Sequence, residues 1–132
     1  MSPRKRRRQA PPPPLHELEA EVLEEVWRQD EVPVRSVMEA LNKGSRHPRA
    51  YTTYMTVMSR LHSKGLLERR RQGKTDFYRP TMERQEYLNR RAAAEVDAVV
   101  AQYGDVALAH FARQVDLDPE RLEALRRLAE QA

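Results

Sequence analysis

The sequence has no cysteine, an absence that removes disulfide frameworks, thiolate metal sites and cysteine nucleophiles together. Glycine is scarce, four in 132 residues, so a glycine-rich phosphate loop has little to be built from. The histidines, His16, His47, His62 and His110, fall in separate segments with no His-x-x-x-His or HExxH spacing. No nucleophile elbow is visible either, so neither catalysis nor a metal or other cofactor is expected. No apolar run reaches the length of a membrane span, so direct membrane insertion is not expected. The basic N-terminus lacks the apolar segment that a secretory signal needs.

What is present is charge, 33% of residues against 39% hydrophobic, and it is segregated. Residues 1–14 carry five cations and no anion, residues 15–42 a net −6, residues 43–81 a net +8, and residues 82–132 a net −3. Positive charge gathered in two places is the electrostatic footprint of a polyanionic partner.

The more informative of the two basic stretches is residues 48–79. Tyr54, Val57, Met58 and Leu61 recur at helical spacing and form one apolar face. Thr52, Thr56, Ser59, Arg60 and Ser63 occupy the other, a row of small hydroxyl side chains suited to close approach. Gly65 stands where a left-handed helix C-cap wants glycine. Leu66 and Leu67 open a strand, Gln72-Gly73-Lys74 supplies a turn, Phe77 and Tyr78 lie on the return strand, and Pro80 ends it. Arg69, Arg70, Arg71, Lys74 and Arg79 surround this hairpin. A hydroxyl-faced helix followed by a basic hairpin is what a winged helix-turn-helix requires, with the helix in the major groove of double-stranded DNA and the hairpin along the phosphates. Base readout is expected from Tyr51, Thr52 and Thr56. Phosphate contacts are expected from Arg46, Arg49, Thr53, Arg60, Lys64, Arg70, Arg71 and Lys74.

The flanking segments complete a domain over residues 15–81. Leu18, Val22, Leu23, Val26 and Trp27 place a first helix over 15–29, with Trp27 read as core. A break at 30–33 leaves room for a short strand at Glu31–Val32, and a second helix follows over about 35–42, ended by Asn42-Lys43-Gly44. Residues 1–14 read as a disordered basic, proline-rich arm whose Pro11–Pro14 run forms a polyproline II spacer. Its Arg4–Arg8 run is a candidate for phosphates or a minor groove beside the main site. Residues 82–132 read as three helices, over 83–102, 106–115 and from Pro119 onward, with Asp118 as N-cap of the last. Their apolar positions exceed what about fifty residues can bury alone. Leu88, Val96, Val99, Tyr103, Leu108, Phe111, Leu122, Leu125 and Leu128 are therefore expected at a homodimer interface. The expected class is mainly α with a small β-wing: a winged-helix DNA-binding domain followed by a helical dimerisation domain.

The AYTTYMTVMSRLHSKGLLERR run, the FYRP end of the hairpin and the VALAHFARQ segment resemble the BlaI/MecI/CopY penicillinase-repressor family over about residues 15–130. The resemblance implies a cytoplasmic, nucleoid-associated homodimeric repressor on a palindromic operator of TACA/TGTA type. It also implies relief by a membrane sensor metalloprotease, and residue-by-residue matching puts the cleaved bond between His110 and Phe111. Here the family's staphylococcal pattern has Asn where this chain has His110. The copper-responsive route uses a cysteine tail and does not apply. The competing reading is a MarR-like winged-helix sensor with a small molecule bound at the dimer interface among Tyr87, Tyr103 and Phe111.

Overall fold

The computed structural model describes residues 10–116 and 118–131. The element order is α1 (Glu17–Gln29), β1 (Val32–Pro33), α2 (Val34–Asn42), α3 (Tyr51–Ser63), β2 (Leu67–Gln72), β3 (Thr75–Pro80), α4 (Arg84–Tyr103), α5 (Asp105–Gln114) and α6 (Pro119–Gln131). The strands form one antiparallel sheet in the order β1-β3-β2, with Val32 opposite Tyr78 and Arg69 opposite Tyr78 on the other side. The short strand before α2 lies one residue later than expected, at Val32–Pro33. Pro33 lacks an N–H to donate, and β1 is an edge strand, where a proline is tolerated.

The chain separates into two compact units, the first ending at Leu88 and the second beginning at Asn89. The first is built on the apolar face read from α3: Tyr54, Val57, Met58 and Leu61 are all buried. They pack with Val22, Leu23 and Val26 of α1, Val34 and Val37 of α2, and Leu66, Leu67 and Tyr78 of the hairpin. Each such side chain removed from water contributes about 1.5–3 kcal/mol before entropy is subtracted. Helix α3 ends as its glycine requires. Gly65 takes φ +80, its N–H donates to the His62 carbonyl at 3.0 Å, and the Leu66 N–H reaches back to the Leu61 carbonyl at 2.9 Å. That is the paired bonding of a Schellman cap, and both leucines of the longer bond are buried in the core. At the hairpin tip Gln72 pairs with Thr75, and Gly73 alone of the two turn residues has positive φ, at +65, as a two-residue II′ turn demands.

Two boundaries differ from the sequence reading, both because of aromatic side chains. The expected division at residues 81 and 82 moves into the first turns of α4, since Tyr87 is buried in the first unit's core. Its ring lies 5.7 Å from that of Trp27, and the Trp27 Nε1–H donates to the Met82 carbonyl at 3.0 Å. The expected disorder of residues 1–14 bears, up to residue 9, on positions outside the described residues. Residues 10–14 are docked instead: Pro12 is buried, and the Tyr87 hydroxyl donates to the Pro13 carbonyl at 2.9 Å. Proline loses little entropy on docking, and its carbonyl is a ready acceptor.

A buried ion pair crosses this unit. Glu19 is 2% exposed, and its Oε1 accepts from Lys64 Nζ at 2.7 Å and from the His16 N–H at 3.0 Å. Burial pushes this carboxyl up, but the His16 amide and the Lys64 ammonium together outweigh burial and hold it below its ordinary value. Because the folded-state pKa is the lower one, the pair's stabilisation is full above the unfolded carboxylate range of about 4.3 and is lost as pH falls through the folded value. Denaturant unfolding at stepped pH is expected to show a loss of stability below about pH 4 that Glu19→Gln reduces. An unchanged acid limb in that variant counts against the pair as its source.

Candidate nucleic-acid interface

Helix α3 turns its hydroxyl row away from the core. At 100° per residue, Thr52, Thr56, Ser59 and Ser63 fall opposite the buried stripe. Thr52, Thr56 and Ser63 are exposed and Ser59 is half-buried. Tyr51 and Met55 form one flank, 42% and 43% exposed, and line a groove of about 560 Å³ toward the wing with Arg71, Lys74 and Phe77. Thr53 and Arg60 form the other flank. With Thr56 they line a cavity of about 360 Å³ shared with His16, Leu18 and Glu19 at the start of α1. Thus Tyr51, Thr52 and Thr56, read as base contacts, share one exposed surface, and Thr53 and Arg60 border it. Met55 belongs to the same surface and was missed. The signal was available, since it lies four residues after Tyr51 and off the stripe of Tyr54, Val57, Met58 and Leu61.

The loop that leads into α3 is fixed by one side chain. Asn42 donates from Nδ2 to the Arg49 carbonyl at 2.8 Å, and its Oδ1 accepts from the Arg49 N–H at 3.0 Å and the Tyr54 hydroxyl at 2.7 Å. The sequence marked Asn42 only as the end of a helix. In the fold it clamps both backbone groups of Arg49 to α2 and ties them to a core tyrosine of α3. The N-terminus of α3 and the backbone of Arg49 are thereby held as one piece.

The cations assigned to phosphates fall into two groups. Among the described residues Arg46, Arg49, Arg60 and Lys74 are exposed and have no carboxylate partner. The other three are engaged within the chain. Lys64 is bound to Glu19, and Arg71 Nε lies 3.0 Å from Asp76 Oδ1 across the hairpin. Arg70 is the most committed: Nε and Nη2 reach the two Glu31 oxygens at 3.0 and 3.1 Å, and Nη1 reaches Gln72 Oε1 at 2.8 Å. Its guanidinium also sits 5.2 Å from the Phe77 ring centre. The hydrogen bond from Arg70 holds the Glu31 carboxyl below its ordinary value, and Arg70 is raised in turn. Arg70 therefore acts as a strut between the wing and the turn before β1. Arg69, exposed and without a carboxylate partner among the described residues, is a wing cation left out of the site assignment.

In the second unit Val96, Val99, Tyr103, Leu108, Phe111, Leu122 and Leu128 are exposed, Leu125 is half-buried, and Val106 is the most exposed large apolar residue at 63%. Leu88, at the end of the first unit, is also exposed. His110 and Phe111 are consecutive residues within α5, both exposed. Tyr87, one of the three residues considered for a ligand pocket, packs within the first unit against its core, Trp27 and Pro13. Among the described residues no cluster of three or more histidine or acidic side chains could hold a metal ion, and no helix is long and apolar enough to cross a membrane.

Comparison with known proteins agrees with this geometry. A family model described as penicillinase repressor matches residues 15–131. Two relatives, each a transcriptional regulator BlaI from Mycobacterium tuberculosis (strains CDC 1551 / Oshkosh and ATCC 25618 / H37Rv), are 40% identical over 119 residues, 86% of this chain and 80% of theirs. The solution structure of the DNA binding domain of the repressor BlaI matches with a TM-score of 0.50 at 26% identity, over 58% of this chain and 90% of that one.

Asn42→Ala leaves the Tyr54 hydroxyl and both Arg49 backbone groups without their partner. Urea unfolding is expected to report a loss of about 1–3 kcal/mol, and Tyr54→Phe, which removes only one of the three bonds, about 1 kcal/mol. Equal, near-zero losses contradict the clamp.

Proposed function

This chain belongs to the penicillinase repressor family, and we propose that it acts as a homodimer that represses transcription by occupying a palindromic operator. A transcriptional repressor with a winged-helix DNA-binding domain is the family's common ground. The finer reading rests above all on the exposed surface of α3, where hydroxyl and apolar groups (Tyr51, Thr52, Met55, Thr56) lie between cations without a carboxylate partner among the described residues (Arg46, Arg49, Arg60) and a wing tip carrying Lys74. Hydroxyls can donate to or accept from base edges, and the threonine methyls and Met55 can pack on thymine methyls. The cations fix register on the phosphates without reading sequence.

The dimer is supported by the apolar residues that the second unit leaves open, since a single copy buries only Ala107 there among its described residues. Two-fold pairing through α4–α6 would set two α3 helices on half-sites about one DNA turn apart. The proposed route of relief is a cut by a membrane sensor metalloprotease between His110 and Phe111. It would detach the end of α5 together with α6, and so Leu122, Leu125 and Leu128. Losing the pairing forfeits the second half-site and with it the avidity that holds the operator.

Fluorescence anisotropy on a duplex bearing a TACA/TGTA palindrome and on a scrambled duplex, across a salt series, tests the reading. A preference of about 10³ or more is expected; equal binding to both duplexes contradicts it. Arg49→Ala is expected to weaken both duplexes alike and to lower the salt exponent by about 1 for each copy bound. Thr56→Ala is expected to cost about 1–3 kcal/mol on the palindrome with little change in exponent. By sedimentation, Phe111→Asp is expected to shift the chain from dimer to monomer at micromolar concentration; an unshifted dimer places the interface elsewhere.

A further inference from the structure

A helix of about 10–12 Å diameter in a major groove of similar width meets a phosphate backbone on each side. On one flank of α3 the wing brings Lys74. On the other the surface continues onto the start of α1, where Thr53, Thr56 and Arg60 line a cavity with His16, Leu18, Glu19 and Val57. His16 has no part in the site described above, yet it is exposed there on the same cavity as Arg60. We propose that His16 is a further DNA contact, holding a backbone phosphate on this second flank in its protonated form, so that each copy takes up a proton as it binds. The proposal rests on the reading of α3 as the DNA-facing helix.

Three observations carry it. The first is placement. Both backbone groups of His16 are fixed: its N–H donates to Glu19 Oε1 at 3.0 Å, and its carbonyl accepts the Ala20 N–H at 2.9 Å. Glu19 Oε1 also accepts from Lys64 Nζ at 2.7 Å, and Lys64 is the C-cap of α3. The buried ion pair thus ties the start of α1 to α3 and sets His16 beside the α3 surface. The second is charge. The charged groups around His16 are Glu17 and Glu19 of α1 and Arg60 and Lys64 from α3. Glu19 and Lys64 are engaged with one another, and Arg60 has no carboxylate partner among the described residues. Glu17 and, one turn on, Glu21 are exposed but do not line the cavity. The third is a spare acceptor. Glu19 Oε2 is buried and has no hydrogen-bond partner among the described residues. Imidazolium carries two N–H donors where imidazole carries one. Protonation therefore adds a donor next to a carboxylate that lacks one and leaves another for a phosphate oxygen. The ordinary imidazole pKa is about 6.5, and an arriving phosphate favours the charged ring, so affinity rises as pH falls toward that value.

The test measures the affinity of the full chain for the TACA/TGTA palindrome and for a scrambled duplex across a salt series, at about pH 6 and about pH 8. For the unsubstituted chain the salt exponent is expected to be larger at the lower pH by roughly 1 per copy bound. Affinity should rise by up to about tenfold per pH unit for each proton taken up. Both effects should be common to the two duplexes, since a phosphate contact reads no sequence. His16→Asn keeps a good N-cap but cannot become a cation, and is expected to show the high-pH exponent at both pH values. His16→Lys, charged throughout, is expected to show the larger exponent at both. An exponent of the unsubstituted chain that does not change with pH overturns the contact. So does a His16→Asn chain that keeps the full pH step, which would assign the step to His47, exposed between Arg46 and Arg49, and His47→Gln should then abolish it. A loss in His16→Asn that is equal at both pH values also overturns it, because a purely structural cap has no such pH dependence. Arg60→Ala separates the two readings. It is expected to lower the exponent by roughly 1 per copy at both pH values, and an unchanged exponent there fails the α3 surface itself, whatever His16 does.

Discussion

A helix proposed to read DNA has to be held entirely from behind, because its front must stay bare. In this chain that constraint falls on four side chains of α3, Tyr54, Val57, Met58 and Leu61, which are all buried in one cluster with residues of α1, α2 and the hairpin. The same stripe sets the helix rotation, so it also decides which residues face outward. Tyr54 adds a polar tie: its hydroxyl ends on Asn42, whose amide group holds the loop before α3 by both backbone groups of Arg49. Packing fixes the angle of the helix and hydrogen bonding fixes its entry point. The exposed hydroxyl row then needs no support of its own.

Charge in the wing follows the same division between holding and reading. The hairpin is rich in arginine, yet Arg70, Arg71 and Arg79 each face a carboxylate of the chain, at 3.0, 3.0 and 2.9 Å. Exposed ion pairs of this kind are worth little to stability individually. Their effect is geometric, since Arg70 ties the wing to the turn before β1 through two bonds to one carboxylate. The cations without such partners among the described residues, Arg69 and Lys74 in the wing and Arg46, Arg49 and Arg60 around α3, are the ones left for the proposed phosphate contact.

Most of this was legible in the sequence, for a definite reason. Periodicity reports which face is buried, and in α3 that face is continuous and unmixed. Gly65 and Gly73 report positive φ because few other residues adopt it cheaply. The apolar excess after residue 88 was legible as unburied surface for the same reason that the core was legible as buried. What periodicity does not report is a side chain's partner. Arg70 and Lys64 read as free cations because the residues that bind them, Glu31 and Glu19, lie 39 and 45 positions away. Tyr87 read as part of the second unit because Trp27 and Pro13, its neighbours in space, are at the other end of the domain. Asn42 read as a stop signal because its three bonds depend on how a loop folds back.

Two copies of α3 are proposed to act together on one DNA site. The most direct measurement is the affinity of the intact chain for a full palindrome against the same duplex with one half-site scrambled, at fixed salt. A loss of at least about 100-fold is expected when one half-site is removed, because the second contact is made at high effective concentration. Equal affinity for the two duplexes would contradict it, and would mean that one copy of the winged helix carries all the recognition there is.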